Sequence, residues 1–206
     1  MPQLTLYHNP MSRGQIARWM LEEVGEPYEL ALLDYGTTMK ESEFLALNPM
    51  GKVPALRHGD RVVTEAAAIC AYLADAFPDA GLAPAPADRH DYYRWLFFAA
   101  GPAEAAITAK AMGLLAPADK AAIAGYGSYD QAVDALERAV DSREFVAGDR
   151  FSAADVYVGS QVIWGTMFGT LPHRPAFDAY AATLRARPAY LRQRELDAAL
   201  MPKQTA

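Results

Sequence analysis

The segment NPMGKVPAL at 48–56 and the pair Thr64-Glu65 carry groups suited to hold an extended, peptide-like ligand by its backbone and its charged end. Proline lacks an N–H and is confined to strand starts, edges and bulges, so Pro54, opening the apolar run Pro54-Ala55-Leu56, marks a strand edge. An X-Pro bond adopts cis at modest cost, and a cis turn would aim the Val53 backbone groups outward. Unpaired backbone groups need a partner, and a ligand backbone added like one more strand supplies it. Taken alone, Val53-Pro54 reads as an ordinary loop-to-strand turn. The neighbouring residues point elsewhere: Gly59-Asp60 is a turn signal, Arg61-Val62-Val63 a second strand, and Thr64 a predicted N-cap. Ile69, Tyr72, Leu73, Ala76 and Phe77 form one apolar helical face behind that cap. Such a helix start offers free N–H groups and a positive dipole end, which suit a carboxylate. Glu65 either supports the helix dipole or pairs with an ammonium on the same ligand.

The elements that position these groups alternate in the first half of the chain. Leu4 to Tyr7 reads as a strand, Ser12 to Val24 as a helix with Ile16, Met20 and Val24 on one face, Pro27 to Leu33 as a strand, and Glu41 to Leu47 as a short helix. Two βα passes followed by a hairpin and a helix give a small α/β sandwich over 1–78. The stretch DAGLAPAPAD at 79–88 reads as a linker. Helical patterns then succeed one another at Arg89 to Ala111, Ala118 to Val140, Ser152 to Phe168, Pro175 to Arg185 and Ala189 to Leu200, predicting an all-helical domain over 89–206. Ser152 with Asp155 three positions on resembles a capping box, and the helix behind it is apolar nearly all round, as a buried helix is.

Composition narrows the function classes. A chain of 206 residues, 52% hydrophobic, fills a substantial core, and a net charge of −6 argues against nucleic acid. No apolar run approaches the ~18 residues of a membrane span, and no secretory leader is evident. The lone Cys70 excludes an internal disulfide framework, fits a reducing cytoplasm, and reads as a small buried hydrophobe.

With NPMGKVPAL, the Glu65 helix start followed by AAAICAYL, and LTLYHNPMSRGQIARWMLEEVG at 4–25, the chain resembles the glutathione transferase family over nearly its whole length. The resemblance implies α/β plus all-α architecture, a thioredoxin-like domain that binds glutathione followed by a helical bundle that helps bind the second substrate. It implies glutathione as co-substrate with no metal, held along Lys52, Val53 and Pro54, with its γ-glutamyl end at Glu65 and Ala66. Ala66 stands where the family commonly has serine, which leaves only a backbone N–H for that carboxylate. Lys40 or Lys52 would pair with the glycine carboxylate; both also read as surface lysines.

The chemistry implied is attack of a glutathione thiolate on a small apolar electrophile. A thiol titrates near ~8.5, so the site must stabilise the anion. Ser12 is the expected catalytic hydroxyl, as in serine-type members, and serine before a helical run is also a common N-cap. Tyr7, Asn9 and Arg13 are the supporting candidates, with Tyr7 inside the strand, earlier than in tyrosine-type enzymes. Tyr92, Phe98, Pro102, Trp164 and Phe168 are candidate lining for the electrophile. The aromatics on the 152–168 helix, Tyr157, Trp164 and Phe168, read first as core and second as lining. Resemblance further implies a cytoplasmic homodimer, formed by the helices after Glu65 and after the linker, with a role in detoxification. A non-catalytic glutathione-binding or assembly module, and a glutathione-dependent peroxidase or disulfide reductase, are the alternatives.

Overall fold

Strand β1 (Leu4–His8) is covered on both faces, as the central strand of a sheet with helices on either side must be. Leu4, Leu6 and His8 are buried on one side, and Thr5 is buried with Tyr7 half-buried on the other. The computed structural model describes residues 3–201, which form two compact units: 3–80 with 187–201, and Gly81–Ala186.

In the first unit β1 pairs in parallel with β2 (Tyr28–Leu32) and antiparallel with β3 (Ala55–His58), and β3 pairs antiparallel with β4 (Arg61–Thr64). The sheet order is β2-β1-β3-β4. Helix α1 (Gly14–Val24) buries Ile16, Ala17, Trp19, Met20 and Leu21, and Gly25, at φ 79, ends it with a left-handed cap. The short α2 (Ser42–Leu47) brings Phe44 into a cluster with Met39 and Ala55, on which Tyr7 packs. Helix α3 (Ala66–Ala76) buries Ile69, Cys70 and Leu73. Full burial of such aliphatic side chains contributes about 1.5–3 kcal/mol each. The fold is a four-stranded mixed sheet with helices on its faces, thioredoxin-like as expected, and the second unit is helical.

The last helix, α9 (Pro188–Ala198), falls in the first compact unit and packs on α1, whereas the hydropathy pattern groups it with the helical stretch after the linker. Trp19 and Tyr190 meet edge to face at 5.0 Å, and Arg187 makes two 2.7 Å bonds to the Glu23 carboxylate.

The second unit contains α4 (His90–Phe98), α5 (Glu104–Met112), α6 (Tyr129–Val140), α7 (Ala153–Met167) and α8 (Pro175–Arg185). A π-helical turn at Ala99–Ala103 joins α4 to α5, because Pro102 cannot donate to the ladder of an unbroken helix. The helix expected from Ala118 to Val140 is shorter than its hydropathy pattern. Only Ala118–Lys120 makes a single 3₁₀ turn, and the helix proper waits until Ser128, whose hydroxyl and Gln131 form a capping box. Gly127, at φ 66, interrupts the earlier run.

Helix α7 is buried along almost its whole length. Asp155 Oδ2 accepts from the Ser152 N–H and hydroxyl at 2.9 and 3.0 Å, and Oδ1 accepts from the Val146 N–H and the Tyr180 hydroxyl at 2.7 and 2.8 Å. Burial raises the Asp155 pKa, and these four bonds oppose the rise.

Candidate functional site

The residues Ala31, Tyr7, Ala55 and Thr64 lie in one row across the sheet. Chain direction sends the segments after β1, after β2, before β3 and after β4 out of the sheet at that same end. The turn bearing Asn9, Ser12 and Arg13, the stretch reaching Lys40, the Lys52-Val53-Pro54 approach and Glu65 therefore emerge together. No pair of these was adjacent in the sequence pattern; the strand register unites them.

Val53-Pro54 is a cis peptide. Pro54 is buried, and half-buried Val53 packs on the Met39–Phe44–Ala55 cluster. Among the described residues the Val53 N–H and C=O enter no backbone hydrogen bond. Lys52 has an exposed side chain, and its carbonyl accepts from Asn48 Nδ2 at 2.7 Å. Lys40 Nζ donates to the carbonyls of Met50 and Gly51 at 3.2 and 2.9 Å, so two of its three donors brace the turn before Val53.

Thr64 is not the N-cap of α3. It completes β4, and Glu65 takes the cap position at φ 68, ψ 120, with no side-chain cap bond. A non-glycine residue at positive φ carries backbone strain, of the kind that collects at functional sites. The first-turn N–H groups, starting at Ala66, have no intrahelical acceptor, and the Glu65 side chain beside them is exposed. The Ala66 methyl is buried.

Ser12 precedes α1, which begins at Gly14 rather than at Ser12. Its hydroxyl donates to the Asn9 carbonyl at 2.7 Å and accepts from the Gly14 N–H at 2.9 Å. Asn9 spans the same loop, donating from Nδ2 to the Leu33 carbonyl at 2.8 Å and accepting from the Met11 N–H at 2.9 Å. Arg13 is exposed at the N-cap of α1. Tyr7 lies under the site, its ring 5.5 Å from that of Phe44.

Residues 2–75 match the family described as glutathione S-transferase, N-terminal domain. The chain is 29% identical to glutathione S-transferase 3 of Zea mays, over 92% of this chain and 92% of that protein. A sphingomonad glutathione S-transferase solved in complex with glutathione is 30% identical, with a TM-score of 0.76 over 94% of this chain and 98% of that one. A glutathione transferase from Phanerochaete chrysosporium in complex with oxidized glutathione is 26% identical, with a TM-score of 0.80 over 97% of this chain and 98% of that one. This chain belongs to the glutathione transferase family.

In this transferase-family chain the second-unit candidates fall in different environments. Tyr92 is buried at 1% exposure, Phe98 is half-buried and edge-on to Trp95 at 5.7 Å, and Pro102 sits half-buried in the π-helical turn. Trp164 is half-buried, and Phe168, beyond the end of α7, is 70% exposed. Cys70 is fully buried, and burial pushes its thiol pKa up, away from redox chemistry. Among the described residues no group of three or more His, Cys, Asp or Glu side chains is arranged to hold a metal ion.

Sequence reasoning missed His8, Arg18, Gln193 and Asp197. The Asp197 carboxylate accepts from His8 Nε2 at 2.8 Å and from Arg18 Nη1 and Gln193 Nε2 at 2.5 Å each. Burial alone would raise its pKa, yet the bonds from His8, Arg18 and Gln193 outweigh it and lower the pKa. Arg18 Nε also donates to the Tyr28 hydroxyl at 3.1 Å. The Tyr28 pKa is pushed up to about 12 by burial and by its bond to Glu22. A buried arginine in the middle of an apolar helical face was the one signal available.

Proposed function

We propose that this protein is a glutathione transferase that activates the glutathione thiol with Ser12. The observation that carries this reading is the single row Tyr7–Ala55–Thr64, which sends the Ser12 turn, Val53-Pro54 and Glu65 out at one end of the sheet. Glutathione would pair its cysteinyl backbone with the Val53 N–H and C=O, as an added strand. Its γ-glutamyl carboxylate would take the uncapped N–H groups at Ala66 and its ammonium the Glu65 carboxylate, with the third donor of Lys40, or Lys52, for the glycine carboxylate. To serve the sulfur, the Ser12 proton turns from the Asn9 carbonyl toward the thiolate, while the Gly14 N–H keeps hold of the oxygen. A hydrogen bond to an anion contributes about 1.5–3 kcal/mol, enough to lower a thiol pKa by about 1–2 units.

The electrophile would be small and apolar, with half-buried Phe98, Pro102 and Trp164 as lining candidates, exposed Phe168 at the rim and buried Tyr92 behind them. Homodimerisation through α3 and α4 fits the exposure of Phe97 at 70% and Tyr93 at 43% on α4. A cytoplasmic, detoxifying role is what the family implies, and no helix among the described residues is long and apolar enough to cross a membrane.

One observation favours a second reading. The Ser12 proton is already committed to the Asn9 carbonyl, which is what a purely capping serine in a non-catalytic binding module would do. Titration of bound glutathione by its thiolate ultraviolet absorbance separates the two. A catalytic Ser12 gives a depressed thiol pKa in the wild type and an ordinary one in Ser12→Ala; an ordinary value in both refutes catalysis by Ser12.

A further inference from the structure

His8 closes β1, is fully buried, and takes no part in the contacts assigned to glutathione. Its Nε2 faces Asp197 Oδ1, while Nδ1 has no hydrogen-bond partner among the described residues. Asp197 is held ionised by Arg18 and Gln193 as well as by His8, and an ionised carboxylate only accepts. Nε2 therefore carries a proton, and of the two neutral tautomers this bond selects the one whose Nδ1 is bare.

The bare nitrogen faces a specific place. A Cβ added at Gly14 would lie 2.3 Å from His8 Nδ1 and 2.9 Å from Ser12 Oγ, so the imidazole edge and the serine hydroxyl border the same glycine. The Gly14 N–H is also the donor that Ser12 Oγ accepts. A nitrogen without hydrogen approaches a neighbouring Cα more closely than a C–H or N–H edge does. A ring serving only as packing would be apolar, since an unpartnered buried nitrogen costs stability.

We propose that His8, oriented by Asp197, is a positioning residue for Ser12. Its unprotonated edge sets how far the Gly14 turn closes, and the Gly14 N–H in turn sets where Ser12 Oγ meets the sulfur. The C-terminal helix α9 thus reaches the candidate thiol site through one carboxylate and one ring. This inference rests on the reading of Ser12 as the thiolate donor.

The test compares thiol pKa values of bound glutathione in the wild type, His8→Gln, Ser12→Ala and the double variant. Glutamine keeps a donor for Asp197 but removes the ring edge from Gly14. His8→Gln is expected to raise the thiol pKa by about one unit, the size of one modest hydrogen-bond change, and to add nothing in the Ser12→Ala background. An unchanged pKa in His8→Gln, or a further rise in the double variant, overturns the proposal while the Ser12 reading stands. No shift in Ser12→Ala overturns both. Nitrogen-15 resonances of the wild-type ring give a test free of any folding defect. Nε2 should be protonated and Nδ1 bare, with Nδ1 alone responding to added glutathione; a protonated Nδ1, or no response, overturns it.

Discussion

Glu65 stands at φ 68, ψ 120 at the start of α3, and replacing it by glycine and by alanine separates its backbone from its carboxylate. Backbone in this region costs a non-glycine residue about 1–3 kcal/mol. Glycine relieves that cost but loses about 0.5–1 kcal/mol to its greater unfolded-state freedom. The favourable pairing of a carboxylate with the helix dipole disappears from both variants and cancels. Glu65→Gly should therefore be more stable than Glu65→Ala by about 0.5–2 kcal/mol, read from urea denaturation midpoints. Both variants lose the pairing with the ligand ammonium, a charge-assisted bond of about 1.5–3 kcal/mol. Calorimetric titration should show both binding glutathione about 10- to 150-fold more weakly than the wild type. An alanine variant as stable as the glycine variant refutes the strain argument. Near-wild-type affinity in either refutes the assignment of the carboxylate to the ligand.

The Asp197 pKa is lowered in the folded state, so its contribution to stability is complete above the unfolded value near ~3.9 and is lost as pH falls through the folded one. Asp197→Asn should flatten the acid limb of the stability–pH curve below about pH 4, measured by denaturant titration at each pH; an unchanged limb counts against an ionised Asp197. Asp155→Ala strands the buried Val146 and Ser152 N–H groups and the Tyr180 hydroxyl. It should cost about 3–5 kcal/mol, and Tyr180→Phe about 1 kcal/mol, both tracked by near-ultraviolet circular dichroism during unfolding. Lys40→Met removes the ammonium bracing the Met50 and Gly51 carbonyls. It should weaken glutathione binding about tenfold and reduce its salt dependence, and calorimetry at two ionic strengths would expose a salt response that stays intact.

Local patterns made the strand and helix order of the first unit legible, because period-2 and period-3.6 hydropathy are set by burial on one face. The same is true of the ligand-facing pieces: Val53-Pro54 and Glu65 stood out by residue type. The cap on α3 did not. Thr64 has the right chemistry, but β4 keeps it in register opposite Ala55, and the cap position falls to Glu65 in a backbone conformation no propensity favours. The late start of the expected 118–140 helix was readable from Gly125, Gly127 and Ser128, whose breaker and cap signals outweigh a run of alanines. Lys40 was read as a surface or ligand lysine, since nothing local shows that its reach ends on the backbone of a later turn. His8 and Asp197 were invisible for a simpler reason: separation by most of the chain leaves no periodic trace.

That separation bears on how the protein is made. His8 and Asp197 lie 189 positions apart, so β1 and α1 are synthesised long before the helix that completes their unit. At ordinary translation speeds the delay is on the order of ten seconds or more. Throughout it the α9-facing side of Trp19 and the Arg18 guanidinium wait for Tyr190 and Asp197. The second unit can assemble first from contacts already made, and the unit begun earliest is closed last. A nascent chain arrested before α9 should hold a folded helical unit beside an N-terminal unit that a protease still opens.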